Sequence, residues 1–364
     1  MTVTEPRDEL VFGGEAAGSV ALPLASIQSE TVQAGRVKLD VPLESLGDSW
    51  GILRAVWDRV AEGGILTVVY GHGGSFRLSK FDVDNLLRLA GFDPAARSRF
   101  QDGGQTTARK VERVAAPLSC TVVVPCRNEV DNVGVLVDRV PALGTSTEIL
   151  FVDGDSTDGT PERILELIRR RPDGQLKLIR QSGNTGKGGA TFQGLRAATG
   201  DVVMILDADM TVRPEDLPRF YLALAEGVAD FANGTRLIYP MDAGAMPGLN
   251  NVGNRAFSHY LSWLLGQRIT DTLCGTKAVF KRDVPKLLDA RPQFGGHDPW
   301  GDFDLLMGAG LLDLRVIDVP IRYVAREAGE SKMRPWSHGM ALAQTCAVGA
   351  LRLKLGGRGR GRAG

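Results

Sequence analysis

The sequence predicts an α/β protein built on a mostly parallel sheet with helices on both faces, preceded by a small α/β N-terminal domain. Three observations carry this. Continuous Val/Ile/Leu runs recur after residue 118, of the kind found in strands buried on both faces. Helical segments fall between the early runs, as parallel crossovers require. A polar, glycine-containing stretch, FQDGGQTTARKVERV (100–114), precedes them and reads as a linker.

Taken in order, GILRAVWDRVAEGGILTVVYG (51–71) reads as helix, glycine turn and strand, and FDVDNLLRLAGF (81–92) as a short amphipathic helix ending at Gly91. Strands are expected at CTVVVPC (120–126), EILFVDG (148–154), LKLIRQ (176–181), DVVMILDAD (201–209), ADFANGTRL (229–237) and RVIDVPIRY (315–323). DNVGVLVDRVPAL, PERILELIRRR and GGATFQGLRAAT supply helices between the early ones. The division is therefore a domain over 1–112, a second over 113–336, and a C-terminal helix with a basic tail over 337–364. In parallel sheets of this kind ligands bind at the carboxyl ends of the strands.

Bulk properties exclude several classes. Across 364 residues, 43 Lys and Arg balance 43 Asp and Glu, so no net charge recruits nucleic acid. MTVTEPRDEL has neither a basic start nor an apolar core, so it does not read as a secretory signal. The apolar stretch Gly339–Leu351 is too short to span a bilayer. Cys120, Cys126, Cys274 and Cys346 have no metal-ligand spacing, which fits cytoplasmic residence with free thiols. Glu330 is the last acid, followed by Lys332, Arg334, Arg352, Lys354, Arg358, Arg360 and Arg362. That run reads either as a solvated tail or as a patch for anionic lipid or phosphate, hence a peripheral contact at the inner membrane face.

Acids and glycines gather at the strand ends. In FVDGDSTDGT, Asp158 reads as a turn and capping residue, whereas Asp153 at the strand tip suits a base N–H. SGNTGKGGA places glycines 183, 186, 188 and 189 around Lys187, letting backbone approach phosphate or sugar. It is not a Walker A loop, because no Ser or Thr follows the lysine. Asp207 and Asp209, one residue apart after an apolar strand, are expected on one side of it. Their repulsion is relieved by a hard cation, Mg²⁺ or Mn²⁺, that also takes phosphate oxygens. In HDPWGDFDLL, the helix-capping reading suits one of Asp302 and Asp304 but hardly both, and with a hydroxyl acceptor one of them would act as general base. His297 reads as a packed or capping residue; Trp300 and Trp336 suit either a core or a stacking role.

VVVPCRNE, FVDGDSTDGT, NTGKGGA and DADM, in this order, resemble family 2 glycosyltransferases with the GT-A fold, a Rossmann-like sheet. NGTRLI, DTLCGTKAVF, WGDFDLL and AREAGESKM resemble the polyprenyl-phosphate hexose synthase branch, the group of dolichol-phosphate mannose synthase. The likeness covers 118–336, and a weaker one to the last third of a methyltransferase covers about 50–95, without the G-x-G loop. Two positions depart from the family pattern. Gly154 stands within V-D-G-D-S where V-D-D-G-S is usual, and Thr211 stands where a glutamine is common.

The resemblance implies a nucleotide-sugar donor (UDP- or GDP-hexose) and a polyprenyl phosphate acceptor, or else a small hydroxyl acceptor. It implies Pro125, Arg127, Glu129 and Asp153 in the nucleotide pocket, Asp207 and Asp209 on the metal, and Asp271–Lys277 beside sugar and acceptor. A leaving diphosphate gathers charge in the transition state, and Arg236, Arg255, Arg326 and Lys332 are the cations available to meet it. A hydroxyl acceptor would need Asp302 or Asp304 as base, whereas a phosphate would not. The rival classes are a nucleotidyltransferase and a non-catalytic scaffold.

Overall fold

The chain is described from a computed structural model covering residues 7–12, 20–22, 34–43, 48–70, 78–94, 99–100, 104–183, 186–239, 248–296, 298–323 and 335–355. It divides into two compact units, Met1–Val114 and Ala115–Gly364.

The first unit holds β1 (Arg7–Phe12), β2 (Val20–Leu22), β3 (Ala34–Pro42), α1 (Ser49–Trp57), β4 (Val60–Tyr70), α2 (Lys80–Leu89), β5 (Phe92–Pro94), β6 (Arg99–Phe100) and β7 (Gly104–Lys110). Its sheet runs β2-β1-β3-β4-β7-β5, with β6 also paired to β7. Here the linker expectation is corrected: Gly104–Lys110 is a strand, antiparallel to β4. Its side chains alternate, with Gln105, Thr107 and Arg109 exposed and Thr106, Ala108 and Lys110 buried. The Lys110 ammonium donates to Val60 O at 2.8 Å and lies 3.7 Å from the Trp57 ring centre, so its burial is compensated by a carbonyl and an aromatic face.

The second unit contains β8 (Cys120–Cys126), α3 (Val130–Arg139), β9 (Thr147–Asp153), α4 (Thr160–Arg170), β10 (Leu176–Arg180), α5 (Gly186–Ala197), β11 (Val202–Ile205), α6 (Leu217–Ala225) and β12 (Phe231–Thr235). There follow α7 (Gly248–Leu265), β13 (Lys277–Phe280), α8 (Val284–Ala290), α9 (Asp302–Leu311), β14 (Val316–Pro320) and α10 (Pro335–Ala350). The sheet order is β10-β9-β8-β11-β13-β12-β14. Neighbours are parallel except at β11·β13 and β13·β12, so β13 is an inserted antiparallel strand that the sequence reading did not contain. A core of Val123, Val152, Phe192, Leu195, Val203, Phe231, Leu261, Phe303, Leu306 and Leu342 joins the sheet to α5, α7, α9 and α10.

One strand ends early. β11 stops at Ile205, and Met210 N reaches back to Asp207 O at 3.3 Å. Met210 has φ +51°, and Asp207–Asp209 therefore sits in a turn beyond the strand. Strand alternation does not set the direction of the two acids; the turn does.

Candidate active site

The tips of β8 and β9 are tied to each other. Asn128, in the left-handed region at φ +56°, accepts from Thr157 N at 2.9 Å while its own N–H donates to Ser156 Oγ at 2.9 Å. Asp158 accepts from Val130 N and from Thr160, the capping role read from sequence. Parallel register sets Pro125 beside Val152 and Cys126 beside Asp153. Asp153 is 1% exposed, and its Oδ1 has no hydrogen-bond donor, a buried acceptor such as a base N–H would satisfy. Arg127 is exposed, and Glu129 accepts from Asn132 Nδ2 at 2.7 Å.

Charge concentrates beyond the end of β11. Lys187, in the first turn of α5, sets its Nζ 2.8 Å from Oδ2 and 2.7 Å from Oδ1 of Asp207. Register places Lys277 opposite Ile205, so the first residue of β13 stands beside the strand that leads to Asp207. Lys277 Nζ donates to Cys274 O and, at 2.8 Å, to Asp302 Oδ1. Burial raises the proton affinity of Asp207, yet Lys187, then Lys277 and Arg236, hold its carboxyl below the ordinary range. Burial likewise opposes the Lys187 ammonium, but Asp207, Asp302 and Asp209 together raise its pKa. These side chains thus share one field. Gly275 makes the convergence possible: a Cβ there would stand 2.7 Å from Asp207 Oδ2 and 3.1 Å from Lys187 Nζ.

Arg236, just after β12, is held on one carboxylate. Its Nε and Nη2 reach the two oxygens of Asp271 at 2.7 and 2.8 Å, and its backbone N adds 3.0 Å. Asn254 Nδ2 donates to the same carboxylate at 2.7 Å. Burial would raise the Asp271 carboxyl, but Arg236 and Asn254 hold it at about 2. Behind this clamp, Asn233 Nδ2 bridges Asp271 O and Asp318 Oδ1, each at 2.8 Å. Burial lifts Asp318 to about 7. Sequence reasoning missed Asn233, Asn254 and Asp318; an acid inside the apolar run RVIDVPI was the available signal.

The two late acids separate. On an α-helix, positions two apart differ by about 200°, so Asp302 and Asp304 face opposite ways. Asp302 meets Lys277, whereas Asp304 pairs with Arg291 Nε at 2.9 Å and is 1% exposed. Burial, with Asp298 adding to it, raises Asp304 to about 6. Helix-end amides are taken by Asp298, which accepts from Phe303 N at 2.7 Å and Asp304 N at 3.2 Å. Asp304 is therefore not brought to the cluster. Arg255 is exposed on α7. Arg326, Lys332 and His297 lie outside the described residues. Asp209 accepts from Thr211 N at 3.2 Å and Oγ1 at 2.8 Å, so threonine steadies one metal candidate where the family often has glutamine.

Residues 121–288 match the family model described as Glycosyl transferase family 2. Over 247 residues the chain is 30% identical to the polyprenol monophosphomannose synthase of Mycolicibacterium smegmatis, covering 66% of this chain and 88% of that protein. The chain belongs to glycosyl transferase family 2. It is also 30% identical over 228 residues to the low-salt glycan biosynthesis hexosyltransferase Agl6 of Haloferax volcanii, covering 60% of this chain but only 51% of that relative. The chain thus spans about half the length of that relative. A solved glucosyl-3-phosphoglycerate synthase from Mycobacterium tuberculosis, with uridine diphosphate bound, is similar at TM-score 0.46 and 19% identity, over 64% of this chain and 80% of that one.

Proposed function

We propose that this family 2 member is an inverting, metal-dependent hexosyltransferase, moving a hexose from a nucleotide diphosphate sugar to a polyprenyl phosphate. The observation carrying the proposal is the Lys187–Asp207 pair at the carboxyl end of the sheet, with the Lys277–Asp302 and Arg236–Asp271 pairs near enough for both cations to act on the Asp207 carboxyl. That is a cationic cradle for a diphosphate, with carboxylates placed for its counter-ion. The branch is taken from the likeness to a polyprenol monophosphomannose synthase.

The donor set suits Mg²⁺ or Mn²⁺. Asp207 is a buried carboxylate met by the Lys187 ammonium, and Asp209 follows within the same turn, so these two hard carboxylates would hold an ion that takes the rest of its shell from phosphate oxygens. Such an ion, when bound, supplies charge to the leaving diphosphate. The chain's own residues do the rest. Asp153 receives the base, Lys187 and Arg236 face the diphosphate, and Lys277 fixes Asp302 beside the sugar.

The state of the acids supports the acceptor assignment. Asp302 commits Oδ1 to Lys277, and Asp304 is engaged with Arg291 on the other face of α9. These engagements speak against a base for a hydroxyl acceptor, while a phosphate oxygen attacks without one. A lipid acceptor also suits the outer surface of α7 and α10, where Trp263 is 59% and Met340 69% exposed. Tyr260 Oη donates to Cys346 O at 3.0 Å, tying these two helices together. Among the described residues no helix is long and apolar enough to cross a membrane, and attachment through this surface and the basic tail is the mode we assign. Residues 1–112 contain no donor motif, and we assign them to docking.

A panel of UDP- and GDP-hexoses with Mg²⁺ or Mn²⁺, scored by thermal shift and by donor hydrolysis, tests the reading. Stabilisation by at least one donor, dependent on the ion, is expected; no response to any donor would refute it.

A further inference from the structure

We propose that Asp318 and Asn233 are positioning residues: they fix the segment Thr270–Lys277 and thereby the placement of Arg236, Gly275 and Lys277 around Asp207. The proposal rests on the functional reading only for its effect on donor use.

Asn233 on β12 and Asp318 on β14 are direct partners in the parallel register. Asp318 accepts three hydrogen bonds: Asn233 Nδ2 at 2.8 Å on Oδ1, and Thr270 N at 2.7 Å and Thr270 Oγ1 at 2.8 Å on Oδ2. The second Asn233 amide hydrogen goes to Asp271 O at 2.8 Å. Thr270 and Asp271 are thereby anchored from two strands, immediately before the residues that enter the site. From the other side, Asn254 on α7 accepts from Thr272 N and Thr272 Oγ1, both at 2.9 Å. Gly234 N donates to Thr276 O at 2.9 Å and closes the segment.

Every donor here points at Asp318, so the position requires a group that only accepts. An asparagine would turn its NH₂ toward either Asn233 Nδ2 or Thr270 N, donor against donor. Asn233, Asp271 and Asp318 are at most 1% exposed, so water cannot replace a lost partner. The segment has little freedom to shift unnoticed. Gly275 already packs against Asp207, and Lys277 holds Asp302.

The test uses the full chain and a double-mutant cycle. In Asp318→Asn, amides of 270–277 are expected to exchange hydrogen faster and the donor KM to rise about tenfold, the scale of one lost buried hydrogen bond. A double-mutant cycle adds Asn233→Ala and the double variant Asn233→Ala/Asp318→Asn: with the facing donor removed, the two changes together are expected to raise exchange and KM by less than their separate effects combined, a coupling that general destabilisation does not produce. Thr270→Val removes a single donor and serves if Asp318→Asn fails to fold. Asp216→Asn, which disturbs a buried carboxylate paired with Arg219, is the control and should leave donor KM unchanged. Unaltered exchange over 270–277 in both single variants would overturn the proposal. So would faster exchange with unchanged KM, or a double variant in which the two effects simply add. A wild-type chain that uses no nucleotide sugar would instead sink the functional reading, and the exchange comparison would still decide the structural one.

Discussion

Lys187 Nζ straddles the Asp207 carboxylate, 2.7 Å from one oxygen and 2.8 Å from the other. The first helical turn after a glycine loop is thereby joined to the turn beyond β11. If this pair forms one wall of the diphosphate site, Lys187→Met should lower kcat/KM for the donor by about a hundredfold, the scale of removing one preorganised donor. Asp207→Asn and Asp209→Ala should each abolish metal-dependent turnover, as should EDTA. Steady-state kinetics with the metal titrated checks this, and wild-type rates in Asp209→Ala would remove the metal assignment from that residue.

Gly275 gives a sharper steric test. Its Cβ position lies 2.7 Å from Asp207 Oδ2, so Gly275→Ala must displace that carboxylate or the segment carrying it. Displacements of about 1 Å in an active site can cost on the order of a hundredfold. We expect a loss of at least about tenfold in kcat with a thermal midpoint close to wild type, measured side by side.

The Lys277–Asp302 pair separates the two acceptor classes. With a phosphate acceptor, Asp302→Asn should cost less than the roughly hundredfold expected from loss of a general base. Lys277→Met leaves a buried carboxylate without its partner and should destabilise the fold by on the order of 3 kcal/mol. Denaturant unfolding and turnover of both variants check these outcomes. A loss of a thousandfold or so in Asp302→Asn, with folding intact, would favour a hydroxyl acceptor.

Asp304 makes a pH prediction. Its carboxyl rests at about 6, raised first by burial and then by Asp298, above the unfolded value. The folded chain therefore binds this proton more tightly than the unfolded chain. The resulting stability is fully present below about pH 4 and is lost as pH rises through 6, on the order of 2 kcal/mol. Thermal midpoints should fall between about pH 4 and 6 and level off above, and Asp304→Asn should flatten that part of the curve. An identical slope in the variant would contradict the assignment.

Much of the sheet was legible because burial on both faces leaves an unbroken apolar run. Cys120–Cys126 has the expected bounds, and Thr147–Asp153 differs by one residue at each end. β13 was not legible. It is four residues long and opens with Lys277, whose place is set by antiparallel pairing to β11 and by its ion pair, both long-range. β7 was missed because its inward positions are Thr106, Ala108 and Lys110, so its period of two is not written in hydrophobic residues. In the site, Lys187, Asp207, Lys277, Arg236 and Asp302 were visible as charges next to glycines or strand ends. Asp304 lies two residues from Asp302, but the helical repeat turns it to the opposite face, toward Arg291. The network of Asn233, Asn254 and Asp318 was hidden, since its members lie far apart in the chain and meet only through the register of β12 and β14 and the placement of α7.

The most direct test is sugar transfer to a short-chain polyprenyl phosphate in detergent, followed by mass spectrometry of the lipid product. UDP- and GDP-hexose donors would be used with Mg²⁺ or Mn²⁺, comparing wild type with Asp207→Asn. A metal-dependent glycosyl phospholipid of inverted anomeric configuration, absent with the variant, is the expected result. No transfer to any polyprenyl phosphate, alongside efficient transfer to a soluble alcohol that Asp302→Asn abolishes, would contradict it.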